Sequence, residues 1–119
     1  MILPDEIQQA AQKLGQSLHE TSEVTSYLQA AQAARDNPDA AVLEEKLLIL
    51  YQHLADLERS GQDLDQSELT EYYQLREQVR SHPLIATRDE HLQMVKLIFS
   101  DAGQMITSVL GVDFTALAT

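Results

Sequence analysis

Histidine is the first side chain to consider for chemistry, because imidazole is the commonest metal ligand in proteins. The chain has four histidines: His19, His53, His82 and His91. His19-Glu20 begins like the HExxH motif of zinc proteases, but Glu23 stands where that motif needs its second histidine. His53 and Glu58 would share a metal only on a distorted helix, because helical ligands lie three or four residues apart. We therefore expect no metal site and place the histidines at the surface or its boundary.

Carboxylates are the second group to consider, because they bind calcium and paired transition metals. The run 63–67 (Asp-Leu-Asp-Gln-Ser) starts like a calcium loop, yet Glu68 stands where the loop needs glycine and Gln74 where it needs glutamate. A di-metal bundle needs a Glu-x-x-His motif, and the sequence contains none. The sequence therefore predicts that these acids begin helices or cover solvated helical faces.

Nucleophilic and redox chemistry lack their usual residues in this sequence. The chain contains no cysteine, which excludes disulfides, thiolate nucleophiles and all-cysteine zinc or iron–sulfur sites. No G-x-S-x-G elbow presents a serine to a base, and no glycine-rich loop is present to hold phosphate. We therefore predict a protein that is not an enzyme, has no catalytic residue and uses no cofactor.

Net charge argues against nucleic acid as a partner. The formal net charge is −11, from 19 acidic and eight basic residues. Phosphate surfaces and anionic membranes attract clustered Lys and Arg, and here only Arg76 and Arg80 form a close helical pair. The sequence predicts no direct nucleic-acid binding. Basic protein partners remain open, beside the simpler interpretation that the charge keeps a small protein soluble.

Hydropathy predicts a cytoplasmic protein. The N-terminal residues 1–6 (Met-Ile-Leu-Pro-Asp-Glu) have neither a basic segment nor a long apolar run, so no signal peptide is expected. No stretch reaches the ~18 continuous apolar residues of a membrane span, so no membrane insertion is expected.

Composition and helix-end signals predict an all-α fold. The 119 residues fit a single domain (1–119), and the abundant Ala, Leu, Gln and Glu favour helix. Helix starts are indicated at 4–6, 21–22, 37–39 and 65–68, where proline or a short polar side chain suits the first turn. Gly61 predicts a helix end, and Ser81-His82-Pro83 predicts a break. These signals delimit about five helices, and the tail 111–117 either docks or frays.

Two of these helices are long and carry continuous apolar stripes. In the third helix, leucine recurs at 43, 47, 50, 54 and 57, the spacing of a heptad seam, and the fifth helix keeps a similar spacing from Ile85 to Val109. At roughly 22 and 28 residues these helices span about 33 and 42 Å, whereas a globule of this size has a radius of gyration of about 13–14 Å. We therefore predict an elongated antiparallel helical bundle in which a homodimer or larger homo-oligomer buries part of the fifth helix.

Several side chains on these helices are candidates for a protein interface. Tyrosine and methionine are enriched at interfaces, although core-edge packing is the simpler interpretation at helical spacing. The adjacent Tyr72 and Tyr73 are the better candidates, because neighbouring helical residues point about 100° apart and both are hard to bury. The predicted interface residues are Tyr72, Tyr73, Ile85, Leu92, Val95, Phe99 and Ile106. Gly15 predicts a close helix contact, since glycine costs roughly 1 kcal/mol inside a helix relative to alanine.

The order and spacing of these features resemble the YlbF/YmcA family of small bacterial regulators, over most of the chain. The first points of resemblance are Ala11, Leu14-Gly15, Leu18, Ser22-Glu23-Val24, Tyr27-Leu28 and Ala30-Ala31. After Asp36 come the Leu-rich helix ending in Gly61, then Val79, then His82-Pro83-Leu84-Ile85 where the family commonly has Asn-Pro, and a long amphipathic helix. Arg88 and His91 depart from the pattern, since an aromatic and a small residue are expected there.

The resemblance implies an all-helical oligomer without enzymatic activity that regulates competence, sporulation and biofilm formation. Some members join a complex that modulates ribonuclease Y and messenger RNA maturation, so ribonuclease Y or sister family proteins are the expected partners. Certain members of that complex are linked to iron–sulfur clusters through cysteines, and that cofactor is not expected in a chain without cysteine. The alternative function is a structural helical oligomerisation or assembly module with no role in RNA turnover.

Overall fold

Helices make up nearly all of the computed structural model, which describes residues 1–118. They are α1 (Asp5–His19), α2 (Ser22–Asp36), α3 (Pro38–Arg59), α4 (Gln66–Ser81), α5 (Pro83–Leu110) and α6 (Phe114–Leu117). No strand occurs in that range, so the predicted all-α fold is confirmed. The two long helices, α3 and α5, have 22 and 28 residues, and α6 adds one short turn to the predicted five helices.

Short polar side chains cap the starts of three helices at the predicted positions. The Asn37 side chain accepts a hydrogen bond from the Ala40 amide at 2.9 Å, and Pro38 occupies the first turn of α3. Asp65 accepts from the Ser67 amide at the start of α4. Thr21 accepts from the Val24 amide at the start of α2. These bonds satisfy amides that a helix leaves without an intrahelical acceptor.

Gly61 ends α3 in the way the sequence predicts. Its φ is +76°, a conformation that side chains with a Cβ rarely adopt. The Gln62 amide donates to the Leu57 carbonyl at 3.0 Å, and the Gly61 amide donates to the Glu58 carbonyl at 3.1 Å. This pair of bonds is a Schellman motif, which closes the helix and turns the chain back toward α4.

Residues Gln29–Asp89 form one compact unit around the α3–α4 pair. The two helices run antiparallel, with the rings of Tyr51 and Tyr72 6.4 Å apart between them. The core of this unit contains Ala40, Val79 and Ile85, against which Leu43 and Leu47 pack. Ile85, near the start of α5, is fully buried there. The α3–α4 pair is therefore held together at one end by the first turn of α5.

The leucine seam of α3 faces inward as its heptad spacing predicts. Leu54 is buried, and the other four seam leucines are half-buried. Leu48 and Tyr51, which widen the seam, remain more than half exposed in the single chain. One stripe of α3 therefore builds the core, while a second apolar stripe stays at the surface.

A second compact unit contains Met1–Leu28 and the part of the chain from Glu90 onward. In this unit the tail docks rather than frays. The Phe114 amide donates to the Thr107 hydroxyl at 3.0 Å, and the Asp113 carboxylate accepts from the Ala116 amide. Gly111, with a φ of +82°, ends α5 and lets the chain reverse into α6.

The apolar stripe of α1 faces outward. Ile7 and Leu14 are exposed, and α1 has no buried residue. No heavy atom lies within 4 Å of the position that a Cβ would occupy at Gly15, apart from the local helix backbone and chain neighbours. The close helix contact predicted at Gly15 is therefore not made within residues 1–118, because the chain brings no second helix against that face.

None of the helices in the described part of the chain combines the length and the apolarity needed to cross a membrane.

Candidate functional site

An open groove with a volume of about 720 Å³ runs along one flank of the α3–α4 pair. Its lining residues are Lys46, Ile49, Leu50, His53, Glu71, Gln74, Leu75 and Gln78. On each helix these residues follow the i, i+3, i+4, i+7 spacing of a single helical face. The apolar members form the floor, and Ile49 is the most exposed of them at 59%. A groove of this shape fits another helix or helix pair laid along it.

The charges of this groove are separated along its length. Because the helices are antiparallel, the contact between His53 Nε2 and a Glu68 carboxylate oxygen, at 3.2 Å, marks the end next to the α3–α4 loop. Glu71 lies one turn after Glu68 at that end, and Lys46 lies two turns before His53 at the other. Neither Lys46 nor Glu71 has an ion-pair partner among residues 1–118. The groove thus presents one positive and one negative end.

The opposite flank of the same helix pair carries an aromatic and cationic cluster. Tyr72 and Tyr73 meet edge to face with their ring centroids 5.5 Å apart, and Tyr51 of α3 adds a third ring. The Arg76 guanidinium carbon lies 5.2 Å from the Tyr73 ring centre and 6.0 Å from that of Tyr72. This cation–π arrangement holds the tyrosines in place, which suits a preformed binding surface.

An ion pair fixes the start of α5 against α3. The Arg88 guanidinium donates to both carboxylate oxygens of Glu44 at 2.9 Å and to Asp89 at 3.1 Å. Partial burial disfavours the charged guanidinium, but the hydrogen bonds and charges of Glu44 and Asp89 outweigh it, so the pKa of Arg88 is raised above its ordinary value. Arg88 therefore stays charged in its ion pair. Its role is to hold α5 against α3, and it takes no part in a chemical reaction.

The second unit has two further surface features on α5. A groove of about 460 Å³ next to α6 is lined mainly by polar residues, with Lys96, Phe99 and Asp113 among them. Near the end of α5, an apolar patch is formed by Met105, Ile106, Val109 and Leu110. Val109 is almost fully exposed. Both features are open surfaces without an enclosed polar cavity.

The histidines and carboxylates do not assemble into a metal centre in the described range. No three His, Asp or Glu side chains converge among residues 1–118. His53 pairs with Glu68, while the His82 ring nitrogen Nδ1 accepts from the Leu84 amide at 3.2 Å and so caps α5. His19 is exposed and His91 half-buried. The imidazoles therefore lie at the surface or its boundary, as the sequence predicts.

The predicted interface residues fall into two groups in the structure. Ile85 and Val95 are buried within the chain, and Ile85 belongs to the core around Ala40. The other five are accessible. Tyr73 and Phe99 are about half exposed, whereas Tyr72, Leu92 and Ile106 are half-buried. Their role in an interface stays a prediction, and only the accessible ones offer surface to a partner without local opening.

Comparison with known protein families places the chain among regulators. Residues 7–110 match the family described as "Control of competence regulator ComK, YlbF/YmcA". The chain belongs to the YlbF/YmcA family. No curated protein matches it. The match covers most of α1 and all of α2 to α5, so the α3–α4 groove lies entirely within the YlbF/YmcA region.

The groove with Lys46 and Glu71 was missed by sequence analysis of this YlbF/YmcA protein. The α3 face carrying Lys46, Ile49 and His53 mixes polar and apolar residues, so it has no clear periodic signal beside the leucine seam. The spacing of two opposite charges on separate helices is meaningful only once the register of α3 against α4 is known. The one sequence signal that could have revealed the groove is an alignment of the apolar seams of α3 and α4, which would have given the register of the two helices.

Proposed function

We propose that this YlbF/YmcA family chain is a regulatory adaptor with no enzymatic activity, which acts by binding proteins through its helical faces. The observation that carries the proposal is the family match over residues 7–110. The family description names control of the competence regulator ComK, and on this basis we propose a role in bacterial cell-fate regulation. We also propose that residues 1–119 work as one domain.

The distribution of apolar side chains supports binding through helical faces. Large side chains such as Leu48, Ile49, Tyr51 and Leu97 are more than half exposed in the single chain. Large exposed apolar patches mark interaction sites on soluble proteins. We propose that a homodimer or larger homo-oligomer covers part of this surface and that a protein partner covers another part.

The proposed partner is ribonuclease Y, directly or through sister proteins of the family, with messenger RNA maturation as the regulated process. The net charge of −11 supports contact with protein in preference to RNA, because RNA binding requires clustered basic side chains. Since messenger RNA maturation takes place in the bacterial cytoplasm, we propose that the chain acts there.

Direct binding to ribonuclease Y tests this role. The purified chain is titrated with purified ribonuclease Y of the same organism, alone and with the sister proteins, at two salt concentrations. Phe99→Ser removes an accessible aromatic of the predicted interface, and Gln93→Ser is the matched control on an exposed polar position of α5. We expect Phe99→Ser to weaken binding about tenfold, or roughly 1.4 kcal/mol, as for an interface hot spot. Gln93→Ser should leave it unchanged.

Absence of binding by the wild-type chain, both alone and with the sister proteins, would remove ribonuclease Y from the proposal. A loss of binding at high salt would indicate that the acidic surface contributes, because salt screens exposed charges. Unchanged binding by both variants would exclude the α5 surface around Phe99 as the contact while leaving the partner in place.

A structural oligomerisation module with no role in RNA turnover is the second candidate function. The observation that favours it is the α3–α4 groove, whose two ends carry opposite charges and therefore suit a second copy. Unchanged levels and ends of messenger RNA in a deletion strain, together with stable self-association in solution, would favour this candidate over the adaptor.

A further inference from the structure

We propose that the α3–α4 groove is the self-recognition face of this protein, in which two copies pack their α3–α4 pairs against each other across a two-fold axis. This inference rests on the self-association included in the proposed function, and it names the face that carries it. The groove is lined by one continuous face of each helix, with Ile49, Leu50 and Leu75 as its floor. Two such pairs packed face to face bury both groove linings between two layers of helices.

The charge of the groove suits a second copy of an otherwise anionic chain. The chain carries a net charge of −11, so most pairs of surfaces on two copies repel each other. Within the groove lining, Lys46 and Glu71 cancel, and His53 adds no formal charge at pH 7. The groove is therefore a neutral, partly apolar strip on which two acidic molecules can meet at the lowest electrostatic cost.

The positions of these two charges make the groove self-complementary. Lys46 and His53 are seven residues apart on α3, about 10.5 Å along the helix axis. Glu71 lies on α4 at the His53 end, because α4 returns antiparallel and Glu68 contacts His53. Lys46 on α3 and Glu71 on α4 thus lie diagonally across the groove, and a two-fold axis in the plane of contact, perpendicular to the line that joins them, exchanges the two positions. It therefore lays Lys46 of one copy against Glu71 of the other, and the same contact repeats on the second side.

A second copy explains these features better than an unrelated helix does. An isologous contact requires that a surface be complementary to itself, and a groove with one positive and one negative end meets this requirement under a two-fold axis. Lys46 and Glu71 have no ion-pair partner in residues 1–118, so both are free to pair between copies. Val42, one turn before Lys46 on the same face, is also exposed and extends the apolar strip.

Charge reversal tests the proposed contact. Lys46→Glu places glutamate against glutamate at both contacts of the dimer, and Glu71→Lys places lysine against lysine. We expect each single variant to raise the dimer dissociation constant about tenfold or more, because like charges then face each other. In an equimolar mixture of the two variants, both contacts of the mixed dimer regain opposite charges. We expect the mixture to recover dimers with an affinity within about threefold of the wild type.

The mixture is the decisive sample. Recovery that depends on mixing the two variants shows that Lys46 and Glu71 meet between copies and not within one chain. Lys13→Glu and Glu77→Lys are matched controls with the same charge changes at exposed positions outside the groove. Dimerisation is measured by sedimentation velocity at an ionic strength of about 0.1 M, low enough to keep short-range charge contacts. Circular dichroism checks that every variant keeps its helix content. We expect the controls to dimerise like the wild type.

Three results would overturn the inference in distinguishable ways. A wild-type chain that stays monomeric up to roughly 100 μM would remove both the groove contact and the proposed self-association. Wild-type dimers that are unaffected by either reversal would assign self-association to another face, and the groove contact alone would fail. Single variants that weaken the dimer without recovery in the mixture would overturn the two-fold pairing of Lys46 with Glu71.

Discussion

Arg88, for which the family resemblance predicts an aromatic side chain, joins the start of α5 to α3 in the structure. Its guanidinium binds both oxygens of Glu44, so the first turns of α5 are held against α3 by directional hydrogen bonds. The Arg88 side chain is 22% exposed and that of Glu44 36%, so solvent screens this pair only in part. The coupling energy between the two side chains of an ion pair at this depth is larger than that of a fully exposed pair.

A double-mutant cycle on Glu44→Gln and Arg88→Met is expected to show this coupling. Because the pair is bidentate and partly shielded, we expect each single substitution to lower the free energy of unfolding by about 1–2 kcal/mol and the coupling energy to be about 1 kcal/mol. Chemical denaturation with urea measures both quantities.

The Asp56–Arg59 pair on the outer face of α3 is the matched control for that cycle. Its two side chains are 71% and 76% exposed, and its partners are three residues apart. We expect a coupling energy of no more than about 0.5 kcal/mol there. Equal coupling in the two cycles would contradict the idea that burial strengthens the Arg88 contact.

Residues that act locally were the ones that sequence analysis placed correctly. Asn37 and Asp65 cap helices through side chains that reach amides two or three residues away, so the chain itself fixes the geometry. The burial of Ile85 and Val95 could not be predicted in the same way. An apolar stripe indicates that a helix faces other apolar groups, but it does not indicate whether those groups belong to the same chain or to a partner.

Helix ends are the element-scale features that the sequence predicts best, and the grooves are those that it predicts least. Gly61 and the Ser81-His82-Pro83 break delimit α3, α4 and α5 because their backbone preferences are intrinsic. The α3–α4 groove depends on the register of two helices, which is set by packing of Leu43, Leu47 and Val79 far apart along the chain. Such non-local geometry has no signature in a single stretch of sequence.

Alanine substitution at two glycines should affect stability in opposite directions. Gly61 has a φ of +76°, so Gly61→Ala forces alanine into a left-handed conformation and should destabilise the protein by about 1 kcal/mol. Gly15 lies inside α1 with open space around its Cβ position, so Gly15→Ala should stabilise the chain by about 0.5–1 kcal/mol. Urea unfolding of both variants in parallel measures the two changes.

The Gly15 result also tests whether α1 has a partner outside the chain. A loss of stability in Gly15→Ala at a concentration where the protein is oligomeric, with a gain where it is monomeric, would indicate that another copy packs closely on α1. A gain at both concentrations is the expected result, because the proposed contact between copies uses α3 and α4.

At the scale of the whole molecule, the amount of exposed apolar surface connects stability to assembly. Only a few large side chains are well buried, among them Leu54, Ile85 and Val95, while many on α1, α3 and α5 remain exposed. A chain of this size buries a modest core on its own, and assembly is the usual means by which such chains add apolar burial. Folding stability should therefore depend on the concentration of the chain.

The concentration dependence of unfolding is expected to follow mass action. When unfolding is coupled to dissociation of a dimer, each tenfold increase in chain concentration stabilises the folded dimer by about 1.4 kcal/mol per mole of dimer. We expect the urea midpoint of the wild-type protein to rise between roughly 1 and 100 μM.

Lys46→Glu separates dimer stability from the stability of the single chain. Its midpoint should rise less with concentration over the same range, because its groove repels a second identical copy, while the equimolar mixture with Glu71→Lys should regain the wild-type dependence. Lys13→Glu, which changes the net charge equally but lies on α1, should behave like the wild type. If Lys13→Glu showed a reduced concentration dependence as well, net charge and not the groove would limit assembly. The reason is that an added acidic side chain anywhere on a chain of net charge −11 increases the repulsion between copies.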